Sequence, residues 1–337
     1  MKKSNKFKIL FLVILLVILT GCTKQLKDVD GKIVKNNETG QTLPSNILCK
    51  PTDNDIIELY EKTKEEKIES LDKQLKKGDI SKSEYKINKN DLLDINELVA
   101  CKDFKITSGG YEGLWTSFFV KPLAWVLIQL GRLLKNYGLA VIAATLIIRL
   151  ILFPVTRKAA KQSELLKLAQ DDLNKIEKKY KNKTDQESMA LKSQEMMMIY
   201  KKHGINPMSG CLFGFLQIPL FLAFYEALYR LPVLFEDKFL IFNMSTTPIS
   251  GMSAGKYFYI ILPIVVGIVT YFSFKLNSGA SMGQDQAKQM KMMTNIMMIV
   301  ILFTSFSMST AIILYWITNS TFTIVQNLLV KRSNKKW

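Results

Sequence analysis

The sequence contains few residues of the kinds that hold metals or carry out covalent chemistry. Its 337 residues include one histidine, His203, and four cysteines. The cysteines lack metal-ligand spacing, and there is no glycine-rich phosphate loop. The apolar segments contain almost no carboxylates, which argues against a proton- or sodium-coupled pump. We therefore expect no enzyme activity, no metal and no cofactor.

Long apolar blocks are abundant instead, at residues 137–156, 209–229, 257–277, 292–307 and 309–330. A helix needs about 20 apolar residues to cross a hydrocarbon core, and all but the fourth block reach that length. The last two blocks would span about 58 Å as one helix, so the polar run 304–310 is predicted to be a turn. The expected fold is an all-α polytopic membrane protein with five transmembrane helices.

The net charge of +17 is distributed unevenly. Residues 23–112 carry 16 lysines and no arginine against 18 acidic residues, whereas residues 157–203 carry 12 basic and 7 acidic residues. Basic residues favour the cytoplasmic side of a membrane. This places 157–203 and the basic tail 333–337 inside, and the segment before the first span outside. Contact of the basic regions with ribosomal RNA is a second interpretation.

The amino terminus has the features of an export signal. Four lysines precede an apolar run from Ile9 to Leu19, which ends in Leu19-Thr20-Gly21-Cys22. This ending resembles a bacterial lipobox, so residues 1–21 are predicted to be a lipoprotein signal peptide and Cys22 the lipidated residue. The alternative is a retained signal anchor with an incidental cysteine.

Residues 22–111 form a hydrophilic exported segment with few aromatic residues and a predicted helix from Asp55 to Lys77. Cys49 and Cys101 both lie in it, where a disulfide is permitted, although two unpaired thiols fit equally well. The membrane core is assigned to residues 112–332.

Two further helical regions flank the first span. Residues 112–135 have near-helical apolar spacing with basic residues interspersed, which suits an interfacial helix kinked at Pro122, or an extension of the first span. Residues 157–203 are charged but helix-favouring, which predicts a cytoplasmic helical hairpin with arms 157–181 and 186–203. His203, at its end, is expected to be solvated or to cap a helix.

Arg149 lies inside the first apolar block, roughly 12 Å from the basic boundary at Arg157. An arginine near a helix centre costs about 2.5–3.5 kcal/mol on insertion scales, and it stays charged. It must therefore snorkel, pair with an acid, or face a wet cavity. Glu226 is the only carboxylate inside a predicted span and lies near the opposite end of the membrane. We expect a water-filled groove lined by uncharged polar groups, with Gln217 facing Arg149; the other candidates are Thr270, Asn295, Thr304, Ser305, Thr318, Asn319 and Gln326.

Several short motifs lie in the apolar blocks: Ile148-Arg149-Leu150, Asn206-Pro207, Gly210-Cys211-Leu212, Leu216-Gln217-Ile218-Pro219, and Leu314-Tyr315-Trp316 followed by Asn319 and Gln326. Together they resemble the YidC insertase family, in its lipoprotein-type form from bacteria with a single membrane. The sequence departs from the family pattern at Phe213 and at Ser309-Thr310-Ala311, where the family usually has prolines.

The resemblance implies a membrane protein insertase with a positively charged groove open to the cytoplasm and the lipid. The client-binding residues would be Arg149, Gln217, Trp316 and Asn319. Its partners would be client membrane proteins, membrane lipids and, in a wider assembly, the Sec translocon and the ribosome. It would lie in the bacterial cytoplasmic membrane with its lipid-anchored amino terminus outside.

Two other classes remain open. A small-solute or lipid transporter should show inverted repeats and ionisable groups at mid-membrane, and the sequence shows neither. A lipoprotein scaffold anchored by its spans would not need five of them or a buried arginine.

Overall fold

A computed structural model of the protein describes residues 24–183, 185–206, 209–277 and 284–334. The predicted signal peptide, Cys22 and the last three residues of the tail lie outside these ranges. The described part is mainly helical: α1 Asn54–Lys77, α2 Lys82–Asn90, α3 Lys121–Leu134, α4 Tyr137–Leu168, α5 Gln170–Lys179, α6 Gln186–Lys202, α7 Ser209–Tyr229, α8 Pro232–Phe235, α9 Pro248–Ser253, α10 Ile261–Asn277, α11 Gln284–Ser305 and α12 Thr310–Asn334. Strands β1 Lys238–Phe239 and β2 Phe242–Asn243 form a small antiparallel hairpin.

Three helical stretches in the described residues are long and apolar enough to cross a membrane: Thr116–Leu134, Tyr137–Leu168 and Tyr257–Leu276. Helices α7, α11 and α12 occupy the other three apolar blocks, and the apolar part of α11, Thr294–Ser305, is shorter. The predicted break between the last two blocks is confirmed, because α11 ends at Ser305 and α12 begins at Thr310. A membrane protein follows from these helices, whereas the count of five spans stays a prediction.

The first arm of the predicted hairpin is not a separate helix. Helix α4 runs without interruption from the first apolar block through Pro154 to Leu168. A proline inside a helix removes one backbone hydrogen bond, and the helix-favouring residues that follow sustain it. The prediction that this helix ends near Arg157 is therefore wrong; the chain breaks at Ala169 instead, and α5 begins at Gln170.

The chain divides into two compact units. The first takes in Met1–Ala144, described from residue 24 onward, together with Pro219–Tyr259 and Met308–Leu314. The second comprises Thr145–Ile218, Ile260–Ser307 and Tyr315–Trp337.

The predicted exported segment, described from residue 24 onward, folds in the first unit around a small core. Helix α1, predicted from Asp55 and observed from Asn54, contributes Ile56 and Tyr60 to it. The other buried members come from the preceding and following loops: Leu26, Leu43, Ile47 and Ile95. Cys49 and Cys101 form a disulfide, so the open question of their pairing is settled in favour of the bond.

The start of α12 is held by the loop after β2, also within the first unit. The backbone N–H groups of Thr310 and Ala311 donate to the carbonyl oxygens of Thr246 and Met244 at 3.1 and 3.0 Å. The first N–H groups of a helix have no partner in the helix itself, so these two bonds fix where α12 begins. The Ser309-Thr310-Ala311 departure from the family pattern thus still supports a helix start.

In the second unit, α5 and α6 form a hairpin whose first arm is shorter than predicted, because residues 157–168 belong to α4. Ala169, Leu173, Tyr200 and Ile205 are its buried core. Near its tip Glu195 accepts from Lys179 at 2.6 Å and from Tyr180 at 2.9 Å, and the Lys179 bond is the main reason that the pKa of Glu195 lies below its ordinary value. At the base, Nε2 of His203 lies 3.2 Å from Oδ2 of Asp172, and the residue caps α6, as expected of it.

Candidate functional site

Arg149 is buried in the second unit, on the inward face of α4. Arg149 is only 2% exposed, whereas the next two residues, Leu150 and Ile151, are 61% and 69% exposed. Successive residues of a helix point in directions about 100° apart, so this pattern sets one face toward lipid and Arg149 toward the neighbouring helices. Snorkelling toward the aqueous boundary is therefore not what the structure shows.

Two amide oxygens solvate the guanidinium. Nε of Arg149 donates to Oδ1 of Asn319 on α12 at 2.6 Å, and Nη2 donates to Oε1 of Gln217 on α7 at 2.8 Å. Both distances are short, as expected when the donor is charged. The two contacts join three helices that are far apart in sequence at one cation.

No carboxylate forms an ion pair with Arg149 among the residues that the structure describes. Hydrogen bonds to a charged group contribute about 1.5–3 kcal/mol each, whereas burying an ion costs several kcal/mol. The two amides thus offset much of the burial cost but leave the positive charge in place. A guanidinium has five N–H groups, of which these bonds use two. The remaining N–H groups of Arg149 can donate to a further anionic or carbonyl oxygen.

A second polar contact lies two helical turns further along the same pair of helices. Oγ1 of Thr156 on α4 lies 2.9 Å from Oε1 of Gln326 on α12, and both residues are almost fully buried. Each is seven residues after a member of the Arg149–Asn319 pair, a separation of about 10.5 Å along a helix. The facing surfaces of α4 and α12 therefore form a polar seam (Arg149, Thr156, Asn319 and Gln326) within the predominantly apolar stretches of the two helices.

The comparisons with known proteins agree on a family. The model of the 60Kd inner membrane protein family matches residues 129–336. Membrane protein insertase YidC 2 of Bacillus anthracis is 36% identical over 220 residues, which cover 65% of this chain and 82% of that protein. Membrane protein insertase MisCA of Bacillus subtilis is 34% identical over 218 residues, covering 64% and 79%.

This chain belongs to the YidC family.

A crystal structure described as an active YidC insertase with the first transmembrane domain resolved is also similar, with a TM-score of 0.47 and 24% identity. That match covers 65% of this chain and 48% of the other. The family match begins at residue 129, so the exported segment lies outside it.

The other predicted groove residues of this YidC-family chain are not all gathered at Arg149. Nε1 of Trp316 donates to Oγ1 of Thr270 on α10 at 2.9 Å. Thr304 and Ser305 donate to carbonyl oxygens of their own helix, at 3.1 and 2.6 Å. Asn295 is exposed on α11. Of the wider set, Gln217, the residue predicted to face Arg149, and Asn319 bond to it. That the remaining candidates line a groove stays a prediction.

The sequence reading missed a buried charged cluster in the first unit, around Arg230. Arg230 and Lys121 are both 1% exposed and Glu226 is 3% exposed. Arg230 contacts Glu112 at 2.5 Å and Glu226 at 3.4 Å, and Nε1 of Trp115 donates to Glu226 at 2.9 Å. The spacing of Glu226 and Arg230, four residues apart at the end of an apolar block, was a usable signal. Nothing local in the sequence indicated Glu112 or Trp115.

Proposed function

We propose that this YidC-family protein inserts client proteins into the bacterial cytoplasmic membrane by receiving their polar exported segments at Arg149. The observation that carries the proposal is a buried guanidinium bonded to two amide oxygens, with no ion-pair partner in the described structure. A structural arginine would be expected to have a carboxylate partner, because an unpaired buried charge is costly.

The positive charge of Arg149 would attract the polar segment of the client, and the two amides keep that charge solvated. A carboxylate or backbone carbonyl of a client segment would bond to the unused N–H groups of Arg149, replacing part of the hydration that the segment loses. Asn319 and Gln217 solvate the cation without neutralising it, so the attraction persists. The seam from Arg149 to Gln326 would form the polar wall of a groove that water enters from the cytoplasm, while the client's apolar helix moves along its lipid-facing flank. Trp316 would form part of the same groove.

The proposed topology has five spans, α4, α7, α10, α11 and α12, with α3 in the outer interface. The charge distribution supports it, because the α5–α6 hairpin and the carboxyl-terminal tail are rich in basic residues and the exported segment is not. Cys22 would carry the lipid anchor outside. The basic hairpin and tail are the surfaces that would meet the ribosome or the Sec translocon inside.

Exchanging Arg149 tests the role of its charge. Arg149→Lys should keep most insertion activity, because a lysine in a hydrated groove remains protonated. Arg149→Ala should reduce insertion of a client with an acidic exported segment by at least about tenfold, or 1.4 kcal/mol. The measurement is insertion of one client whose exported carboxylates are removed stepwise, at matched protein levels.

The control is the same client with a short neutral exported segment, which Arg149→Ala should still insert. Full activity of Arg149→Ala on the acidic client would overturn the proposal. Loss of the folded protein in both variants would instead identify a packing role.

A further inference from the structure

The exported segment contains an open cavity of about 830 Å³ that the proposed insertion mechanism does not use. It lies between the residues that follow the predicted lipidation site, helix α1 and the loop after α2. Four lysines line it, Lys24, Lys27, Lys64 and Lys67, with Asp91 as the one acidic lining residue. This is an unusual concentration of positive charge, because residues 23–112 as a whole carry more acidic than basic residues.

Three of these lysines form no ion pair in the described structure. Lys64 is paired with Asp94 at 2.5 Å. Among the described residues, no carboxylate lies within ion-pair distance of Lys24, Lys27 or Lys67. Burial lowers the pKa of Lys67, and nearby Lys27 adds to this against the opposing effect of Asp28. An anion in the cavity would relieve that repulsion.

One of the residues that line the cavity carries an unsatisfied hydrogen-bond acceptor. Asn46 lines it, and the side-chain oxygen of Asn46 is buried without a hydrogen-bond partner in the described structure. A buried acceptor left unpaired costs about 1–3 kcal/mol, so its natural partner is a ligand that donates. The lysines favour binding of an anion, and the side-chain oxygen of Asn46 can accept from an O–H or N–H group. A phosphodiester that carries hydroxyls offers both interactions.

The location indicates the source of such a ligand. The backbone oxygen of Asn46 accepts from Nε of Arg230 at 2.5 Å, and Arg230 directly follows the last residue of α7. The backbone N–H of Leu48 donates to the carbonyl of Arg230 at 2.9 Å. The cavity wall is thus bonded to the end of a proposed span. The proposed topology would place this end at the depth of the lipid head groups. Lys24 is also two residues from Cys22, a reach of about 7 Å.

We propose that this cavity binds the head group of an anionic phospholipid whose phosphodiester carries a hydroxylated alcohol such as glycerol. The three lysines without an ion pair, Lys24, Lys27 and Lys67, hold the phosphate, and Asn46 accepts from a head-group hydroxyl. The site would dock the exported segment onto the outer membrane surface beside the end of α7. It does not depend on lipidation of Cys22, because the spans keep the protein in the bilayer in either case.

Lysine reactivity tests the site in the full-length protein. The protein is placed in nanodiscs of phosphatidylcholine, phosphatidylmethanol or phosphatidylglycerol, and amine acetylation is measured by mass spectrometry. Lys27 and Lys67 should react about threefold more slowly in phosphatidylglycerol than in phosphatidylcholine when the site is two-thirds occupied. Lys76 and Lys77, exposed at the end of α1 and outside the cavity, are the matched controls and should change little.

Phosphatidylmethanol has the same phosphodiester charge but no hydroxyl, so it should protect less. Asn46→Leu should abolish the difference between these two anionic lipids. If acetylation of Lys27, Lys67, Lys76 and Lys77 slows equally, the membrane surface potential explains the effect. That result would overturn the proposal. Protection by inorganic phosphate in phosphatidylcholine nanodiscs would assign the cavity to free phosphate and overturn the lipid assignment. Neither result bears on whether Arg149 receives clients, which the insertion assay reports separately.

Discussion

Two arginines of the protein, Arg149 and Arg230, are buried, and their hydrogen-bond partners differ in charge. Arg230 is 1% exposed and contacts two carboxylates, Glu112 and Glu226, so its charge is neutralised in place. Arg149 is 2% exposed and contacts two amides. An arginine that only joins helices is best served by the first arrangement, because the paired acid lowers the cost of burial. The second arrangement leaves the positive charge of Arg149 without a counter-charge. We propose that a polar segment of the client interacts with it.

Exchanging Asn319 separates the charge of Arg149 from its hydrogen bond. Asn319→Asp preserves an acceptor 2.6 Å from Nε but adds a negative charge, whereas Asn319→Leu removes the acceptor and leaves the cation. If the cation attracts the client, Asn319→Asp should impair insertion of an acidic client more strongly than Asn319→Leu. We expect a difference of about tenfold, or 1.4 kcal/mol, because the new carboxylate competes with the client. The measurement is client insertion at matched protein levels.

The reverse order, with Asn319→Leu the more damaging change, would show that orientation of the guanidinium matters more than its net charge. A neutral client should respond similarly to both variants, since it offers no carboxylate to be outcompeted.

At the scale of elements, α4 and α12 form the polar seam because their polar residues recur at an interval of seven. Seven residues make nearly two turns, so Arg149 and Thr156 lie on one face of α4, and Asn319 and Gln326 on one face of α12. The observed contacts of 2.6 Å and 2.9 Å show that these two faces meet. The uninterrupted course of α4 to Leu168 carries the chain from the seam to the start of the α5–α6 hairpin in a single helix. A client at the seam and a partner at the hairpin would therefore bind parts of the same element or its immediate continuation.

Cysteine labelling tests whether α3 lies in the outer interface or spans the membrane. Leu114 and Leu133 lie at opposite ends of the apolar stretch Thr116–Leu134 and are 60% and 76% exposed. If α3 lies in the outer interface, cysteines at both positions should react with a membrane-impermeant reagent in intact cells. If it spans the membrane, one position should react only after the cells are opened.

The assay has two internal references, in a background that carries Cys211→Ser. Leu240→Cys, at a residue that is 79% exposed in the β1–β2 turn, should label from outside. Lys183→Cys, between α5 and α6, should label only in opened cells. The opposite pattern at these two references would reverse the whole topology.

At the scale of the whole molecule, the family match and the exported segment are separate features. The match covers residues 129–336, whereas the Cys49–Cys101 disulfide and the lysine-lined cavity lie before it. The predicted exported segment, residues 22–111, is nevertheless joined to the carboxyl-terminal end of α7 by Asn46 and Leu48, which both bond to Arg230. It is a folded part of the first unit rather than a free tail.

Removing the disulfide tests how far this segment depends on a covalent link. The bond joins residues 52 apart, for which the chain-entropy estimate of stabilisation is about 4 kcal/mol. In Cys49→Ser/Cys101→Ser, protease cleavage within residues 24–112 should be faster by at least about tenfold in cells stripped of their wall. The wild-type protein treated with a reducing agent should behave the same way, and Cys211→Ser should not. Unchanged protease resistance of the double variant would show that the core and the Arg230 contacts suffice alone.

The sequence alone determined the features that arise from local composition. Apolar length set the helical blocks, polar residues set the break between α11 and α12, and the helix of the exported segment was correct to one residue at its start. The depth of Arg149 in an apolar block also marked it as a candidate, because the cost of burying a charge is evident without a fold.

The tertiary structure decided everything that depends on which faces meet. Gln217 and Asn319 were two of several polar residues in apolar helices, and only packing brings them, rather than Asn295 or Thr304, to Arg149. The pairing of Cys49 with Cys101 and of Arg230 with Glu112 joins residues 52 and 118 positions apart. Such contacts have no local signature, because the rotation of a helix about its axis is set by the sum of all its packing contacts.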